Sequence, residues 1–252
     1  MPQPLFSRIA FLAVLVTAGL PAAAAETRVA VAANFTAAAK SIGKAFTTAS
    51  GHKPRFSFGS TGQLYAQISQ GAPFDIFLAA DVQRPRMAIQ QGHGVTGTAF
   101  TYAIGTLALY SRDAKIVVGP QTLTHAAFSR LAMANPATAP YGAAAMDVLD
   151  TLVLSKALAS KIVRGNNIAQ AFQFVETGNA ELGFVALAQI NGRPGGSRWI
   201  VPAAMHRPIA QAAVLLQRGA DNPAARAFLE FLKSGEGRAI IARLGYRAGQ
   251  DD

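Results

Sequence analysis

Four short segments of the 252-residue chain combine small, neutral hydrogen-bond donors with the start of a predicted helix. They are Ala33-Asn34-Phe35, Gly59-Ser60-Thr61-Gly62, Pro140-Tyr141-Gly142 and Gly165-Asn166-Asn167-Ile168. The first turn of a helix has backbone N–H groups without intrahelical partners and a partial positive charge, so it can bind an anion. In open α/β sheets these N-termini gather at the carboxyl ends of the strands. Together the four segments would form a site for a small dianion.

Helix capping is the alternative explanation for each segment taken alone. Asn, Ser and Thr are the usual N-cap residues, so Asn34, Ser60, Thr61 and Asn167 could simply cap their helices. Capping is compatible with anion binding, because a capped N-terminus still points N–H groups outward. The set of four segments is therefore more informative than any one of them.

Catalysis and metal binding have little support in the sequence. The histidines, His52, His93, His125 and His206, are scattered, and no H-E-x-x-H, phosphate-loop or G-x-S-x-G motif occurs. The segment 92–97 matches G-x-G-x-x-G but follows a predicted helix and not a strand, so it is not expected to bind a dinucleotide. The lack of cysteine excludes disulfides, thiolate nucleophiles and cysteine-ligated zinc. We therefore expect a binding protein without catalytic residues, cofactor or metal cation site.

The elements that position the four segments alternate between strand and helix. Apolar runs at 27–32, 53–58 and 74–79 predict buried strands, and 35–49 and 63–70 between them have helical periodicity. This order is typical of a parallel α/β sheet. Further strands are predicted at 101–110, 131–134, 182–187, 199–201 and 211–217, and further helices at 85–91, 142–154, 155–162, 168–177, 224–233 and 235–244.

Two apolar crossings, near residues 102–109 and 200–215, predict a division into two lobes. The first lobe would comprise residues 26–102 and 206–252, and the second would be the inserted segment 103–205. A chain of this length is sufficient for two small lobes with cores of their own.

The first 25 residues have the features of a secretory signal peptide. Arg8 supplies a positive charge, Ile9–Leu20 is a continuous apolar run, and Ala22–Ala25 offers a cleavage site before Glu26. The apolar run is shorter than the ~20 residues that span a membrane. We expect an exported mature chain whose scattered basic residues, part of a formal net charge of +10, favour small anions over nucleic acid.

The sequences VAANF at 31–35 and GSTGQLYAQISQGAPFDIFLAAD at 59–81 resemble the signature of periplasmic molybdate-binding proteins of ABC uptake systems. The resemblance continues at 141–144, at Asn167-Ile168 and at 182–187, and it extends over essentially the whole mature chain. It implies a type II periplasmic binding protein with two lobes, each a mainly parallel sheet flanked by helices. Such a protein, expected as a monomer in the periplasm, would close on molybdate or tungstate and deliver it to an inner-membrane permease.

The resemblance also implies a ligand site at Asn34, Ser60, Thr61, Tyr141 and Ile168. Asn34 would donate its side-chain amide and neighbouring backbone N–H groups, and the turn at Ser60 and Thr61 would donate hydroxyls. Tyr141 and Ile168 would donate backbone N–H groups from the second lobe. Thr61 aligns with a ligand-contacting serine of the family, and which of Ser60 and Thr61 makes the closer contact stays open.

Two alternatives stay open at this point. The same fold could bind sulfate or another small anion, because cavity size separates sulfate from molybdate. A larger carboxylate would usually require an arginine clamp, and the four segments contain none, although Arg164 lies beside one of them. An exported hydrolase would need a nucleophile–base pair or a metal cluster, and neither is evident.

Overall fold

Residues 24–125 and 127–249 form two mixed β-sheets flanked by helices in the computed structural model, which describes these residues. The predicted signal peptide lies outside the described residues except for Ala24 and Ala25. The strands are β1 (Glu26–Ala32), β2 (Lys53–Gly59), β3 (Ile76–Leu78), β4 (Phe100–Gly105), β5 (Leu107–Ser111), β6 (Leu131–Ala134), β7 (Ile162–Gly165), β8 (Leu182–Ala186), β9 (Ser197–Ile200), β10 (Ile209–Leu215) and β11 (Arg247–Ala248).

The helices alternate with these strands along the chain, as the sequence pattern predicts. They are α1 (Thr36–Ser50), α2 (Thr61–Ser69), α3 (Gln83–Gln90), α4 (Thr122–His125), α5 (Pro140–Thr151), α6 (Ile168–Glu176), α7 (Leu187–Ile190), α8 (Pro223–Lys233) and α9 (Gly235–Arg243). Short 3₁₀ turns occur at Ala33–Phe35, Ala159–Lys161, Ala203–Met205 and Gln217–Gly219.

The first sheet has the strand order β11-β4-β10-β3-β1-β2, and the second has the order β7-β6-β8-β5-β9. In the first sheet β1 pairs in parallel with β2 and β3, whereas β10 is antiparallel to β3 and β4. In the second sheet β6 is parallel to β7 and β8, whereas β5 is antiparallel to β8 and β9. The sheets are thus mixed, and not mainly parallel, because strands next to the crossings between the sheets run against their neighbours.

The chain passes between the two sheets twice within the described residues. The first passage is at Thr106, between β4 and β5, and the second is the segment 201–208, between β9 and β10. The predicted strand 101–110 is therefore two strands of different sheets. The predicted boundary between the lobes is after residue 102, whereas β4 stays in the first sheet up to Gly105. The predicted lobe limits therefore stay a proposal.

The prediction of a helix at 155–162 is wrong. This segment contains the 3₁₀ turn Ala159–Lys161 and then enters β7, whose residues Ile162 and Val163 pair with Leu131 and Ala132 of β6. Local sequence pattern did not reveal β7, because its conformation is fixed by pairing with a strand some thirty residues earlier and β-propensity depends on such neighbours.

Helix α1 shows how the sequence builds the core of the first sheet. Ala38, Ile42 and Phe46 recur at four-residue intervals, face the sheet and are fully buried. The ring of Phe46 packs edge-on against Phe228 of α8, with 5.2 Å between ring centroids. The helix ends at Gly51, whose φ of 72° is the left-handed conformation that glycine adopts without strain, as the sequence predicts.

Val153 occupies the corresponding position after α5, and it is a strained residue. Its N–H donates to the Asp150 carbonyl at 3.0 Å, and the N–H of Leu154 donates to the Leu149 carbonyl at 2.7 Å, which is a Schellman motif. Val153 has φ 58° and is 85% exposed, so a β-branched side chain sits where glycine is usual and gains little from burial.

We therefore expect Val153→Gly to raise the free energy of unfolding by about 0.5–1 kcal/mol, because relief of left-handed strain exceeds the entropy that glycine loses. Urea denaturation measures this change. Val153→Ala is the matched control, since it keeps the Cβ that causes the strain. A glycine variant less stable than the parent would contradict the assignment.

Candidate anion-binding site

A small cavity, with about 200 Å³ of empty volume, lies between the two sheets. Its lining residues come from the ends of β1 and β2, from the residue Ala80 after β3 and from the starts of four helical segments, and none of those described is charged: Ala32, Ala33, Asn34, Gly59, Ser60, Thr61, Ala80, Ala139, Pro140, Tyr141, Asn167 and Ile168. The five residues predicted from the sequence, Asn34, Ser60, Thr61, Tyr141 and Ile168, all belong to this set. The fold therefore brings the four predicted segments together at one point.

Helix α2 presents two hydroxyl groups to the cavity. Ser60 is its N-cap, as predicted, and its Oγ accepts from the Gln63 N–H at 3.4 Å. Thr61 Oγ1 accepts from the Ala80 N–H at 3.0 Å, which fixes the rotamer of a residue that is 1% exposed. Since both oxygens act as acceptors in these bonds, the hydroxyl protons can be donated to a ligand.

The opposite wall of the cavity consists of the first turns of α5 and α6. Pro140 has no N–H, and the N–H groups of Gly142 and Ala143 donate to the Ala139 carbonyl at 2.9 and 3.0 Å. Tyr141 therefore supplies the first N–H of α5 that is available for a ligand. At α6, Asn167 caps the helix by accepting from the Gln170 N–H at 3.0 Å, which places Ile168 at the first helical position.

Asn34 does not cap α1, and this prediction is wrong. The chain makes a 3₁₀ turn at Ala33–Phe35, and α1 then begins at Thr36 without a side-chain cap. Asn34 Nδ2 donates to Gln211 Oε1 at 2.8 Å and to Tyr246 Oη at 3.2 Å. Both amide hydrogens are thus bonded to protein groups. The side-chain amide is therefore not available to a ligand in this arrangement, whereas the sequence analysis expected it to donate to one.

The partners of Asn34 are functional candidates that the sequence analysis missed. Gln211 is fully buried in β10, and its Oε1 also accepts from Tyr102 Oη at 3.2 Å. Tyr246 Oη donates to the Asn34 carbonyl at 2.7 Å. A polar residue in the middle of the apolar run 209–215 was the available signal, because a buried amide must find hydrogen-bond partners.

The electrostatics of the cavity come from dipoles and not from ionised side chains. Burial raises the pKa of Tyr102, Tyr141 and Tyr246 above the usual range for tyrosine, so these three hydroxyls stay neutral. The helix N-termini contribute partial positive charge. Such a cavity suits a small, fully ionised anion, which needs only donors.

The two walls of the cavity contact each other directly. The Gly62 N–H of α2 donates to the Thr138 carbonyl at 2.8 Å. A Cβ on Gly62 would lie 3.1 Å from Thr138 Cα, so the absence of a side chain permits this approach. This contact therefore brings the two sides of the cavity close together.

In residues 24–125 and 127–249, no group of three or more His, Cys, Asp or Glu side chains is placed to hold a metal ion. Over the same residues no helix combines the length and the apolar character needed to cross a membrane.

Comparison with known proteins gives consistent results along the chain. The family described as bacterial extracellular solute-binding protein matches residues 27–247. The molybdate-binding protein ModA of Rhodobacter capsulatus is 47% identical over 245 residues, which cover 97% of each chain. ModA of Azotobacter vinelandii is 50% identical over 242 residues, covering 93% of this chain and 96% of the relative. The solved periplasmic molybdate-binding protein of Azotobacter vinelandii has a TM-score of 0.86 and 37% identity, covering 89% of this chain and 100% of that one.

An ion pair connects helix α5 to the second passage between the sheets. Arg207 Nε donates to Asp147 Oδ2 at 2.7 Å and Nη2 to Oδ1 at 2.8 Å, and the Arg207 N–H also donates to Oδ2 at 3.1 Å. The side-chain hydrogen bonds from Arg207 lower the pKa of the Asp147 carboxyl. The pair thereby connects the C-terminal half of α5 to this passage, whereas the first turn of α5 lines the cavity.

We expect Asp147→Asn to lower the free energy of unfolding at pH 7 by about 0.5 kcal/mol, a small value because Arg207 is largely exposed to solvent. A lowered folded-state pKa means that the carboxylate stabilises the fold above its unfolded pKa of about 3.9, and that this contribution is lost as pH falls through the folded value. Urea denaturation of parent and variant should thus differ at neutral pH and converge as the pH falls below the folded-state pKa of Asp147. Glu230→Gln, which breaks an exposed pair with Lys233, is the control. A difference that persists at acid pH would refute this role.

Proposed function

The chain belongs to the bacterial extracellular solute-binding proteins, and on this premise we propose that it is a periplasmic receptor that binds molybdate or tungstate and delivers it to the permease of an ABC transporter. The observation that carries the proposal is the convergence of Asn34, Ser60, Thr61, Tyr141 and Ile168 on one small, uncharged cavity. Relatives 47% and 50% identical along almost their whole length bear the name molybdate-binding protein.

The proposed activity is binding alone. The family consists of solute-binding proteins and not enzymes, and the oxyanion is cargo, so no cofactor is needed. In this proposal Ser60 and Thr61 donate hydroxyls, while Asn34, Tyr141 and Ile168 donate backbone N–H groups. Tyr141 and Ile168 lie across the cavity from Ser60 and Thr61, so a bound anion would join the two sides.

The donor set explains selection against protonated anions. A fully ionised tetrahedral dianion needs only donors, whereas phosphate keeps a proton at neutral pH and needs an acceptor for it. The described lining residues include no carboxylate, so that O–H would be buried without a strong acceptor, at a cost of about 1–3 kcal/mol. Sulfate is also fully ionised, and its rejection depends on the size of the cavity.

The proposal extends to the location and assembly of the protein. The receptor acts in the periplasm, in agreement with the name of the solved periplasmic molybdate-binding protein of Azotobacter vinelandii. We further propose that residues 1–25 are removed as a signal peptide and that the mature protein is a monomer. In this proposal the first lobe comprises residues 26–102 and 206–252, and the second comprises residues 103–205. The two alternatives, a sulfate receptor and an exported hydrolase, are not favoured by the relatives.

Isothermal titration calorimetry of the mature chain should show about one molybdate or tungstate bound per protein with Kd below about 1 μM, since several charge-assisted hydrogen bonds to one ligand give strong binding. Phosphate at the same concentration should give no heat. Heat with sulfate or phosphate, and none with molybdate and tungstate, would overturn the proposal.

Thr61→Val should weaken molybdate binding by about 1–3 kcal/mol, because it removes a hydroxyl donor to a charged ligand while keeping the side-chain shape. Thr61→Ser is the matched control and should bind like the parent. Ser60→Ala in the same titration decides which hydroxyl makes the closer contact. Parent-like affinity in both Thr61→Val and Ser60→Ala would show that the ligand binds elsewhere.

A further inference from the structure

We propose that Gln211 is a positioning residue that couples anion binding to closure of the cavity. Its side-chain amide is hydrogen-bonded both to Asn34 on one wall of the cavity and to Tyr141 on the opposite wall. This inference rests on the proposed function, but it concerns a residue that does not line the cavity. Its role would be to fix the two walls in the arrangement that presents their N–H groups to the ligand.

The hydrogen bonds of Gln211 run in both directions. Its Oε1 accepts from Asn34 Nδ2 at 2.8 Å, and its Nε2 donates to Tyr141 Oη at 3.4 Å. Asn34 belongs to the wall next to the first sheet, and Tyr141 belongs to α5, which packs on the second. Gln211 therefore joins the two walls through a single planar group that is completely buried.

The local backbone is adapted to this contact. The pairing of β10 with β4 shifts at Gln211, which is opposite Ala103, whereas Ala212 is opposite Thr101. Tyr102 is thus the extra residue of a bulge, and bulges redirect side chains. A Cβ on Gly105 would lie only 2.1 Å from Tyr141 Oη, so glycine at the end of β4 makes room for the tyrosine hydroxyl.

The amide is suited to this position because it both donates and accepts. Separation of the walls would break the bond between Gln211 and Tyr141 and leave a buried amide hydrogen without a partner, which is unfavourable. An anion held between the N–H groups of the same two walls opposes that separation as well. Binding of the anion and formation of the amide contact should therefore stabilise each other.

Gln211→Glu tests this coupling because its hydrogen-bonding capacity changes with pH. A protonated glutamic acid can donate to Tyr141 and accept from Asn34, whereas the ionised form can only accept and also repels the anion. Burial raises the pKa of such a carboxyl toward neutrality. The ionisable groups that face this position, Tyr102, Tyr141 and Tyr246, stay neutral because burial raises their pKa, and Asp81 nearby is paired with Arg84.

The experiment is calorimetric titration of the full mature chain with molybdate from pH 5.5 to pH 8.5, with the parent at each pH as reference. We expect the Gln211→Glu protein to bind within about threefold of the parent at the lowest pH and at least about 100-fold more weakly at the highest, since a donor is lost and a charge is added. Gln211→Met should be weakened about tenfold at every pH, because it can never donate. Gln217→Glu is the matched control, since Gln217 is exposed beyond the end of the same strand and should leave affinity unchanged.

Tyr141→Phe provides a second test, because it keeps the buried aromatic ring. It removes the hydroxyl that accepts from Gln211 and keeps the backbone N–H, so molybdate should dissociate several times faster in stopped-flow measurements without a new pH dependence. Parent-like affinity of Gln211→Glu across the pH range, or a loss that does not vary with pH and matches a loss of stability in urea, would overturn the inference. A parent that binds neither molybdate nor tungstate would remove the proposed function and, with it, this inference.

Discussion

The proposed function depends on one constraint, which is that a small anion would have to be held in a buried site without a counter-charge. None of the described residues around the cavity is ionised, so attraction must come from helix N-termini and hydroxyls. Each N-terminus contributes only a fraction of a charge, and several must therefore converge. Two sheets on opposite sides of the cavity, joined by two passages of the chain, bring first turns from both sides to the same point.

The helix first turns can meet at one small cavity only if their backbones approach closely, and small residues permit this approach. Gly62 donates to Thr138 across the cavity, and a side chain there would meet the Thr138 backbone. A Cβ on Gly142 would lie 2.3 Å from the Ala134 carbonyl, so the start of α5 can rest on the end of β6 only with glycine at that position. Glycine in these segments therefore serves the approach of backbones rather than flexibility.

A second layer of neutral polar groups supports the cavity. Gln211, Tyr102 and Tyr246 surround Asn34, and their hydrogen bonds satisfy one another without an ionised group. A charge at this depth would be costly unless paired, and a negative one would repel the ligand. Neutral amides and phenols avoid both effects, and their fixed directions hold the turn at Ala33–Phe35 in place.

The sequence by itself determined the α/β class, the two lobes and five of the residues that line the cavity, because buried strands and helix starts have local signatures and the segments around Ser60 and Tyr141 carry a family pattern. It could not decide the direction of Asn34, predicted as a cap, since that side chain turns toward residues 177 and 212 positions away. It also missed β7, which exists through pairing with β6. Only the tertiary structure brought Gln211 beneath the site, because the contact between Asn34, Gln211 and Tyr141 joins three distant parts of the chain that no local pattern relates.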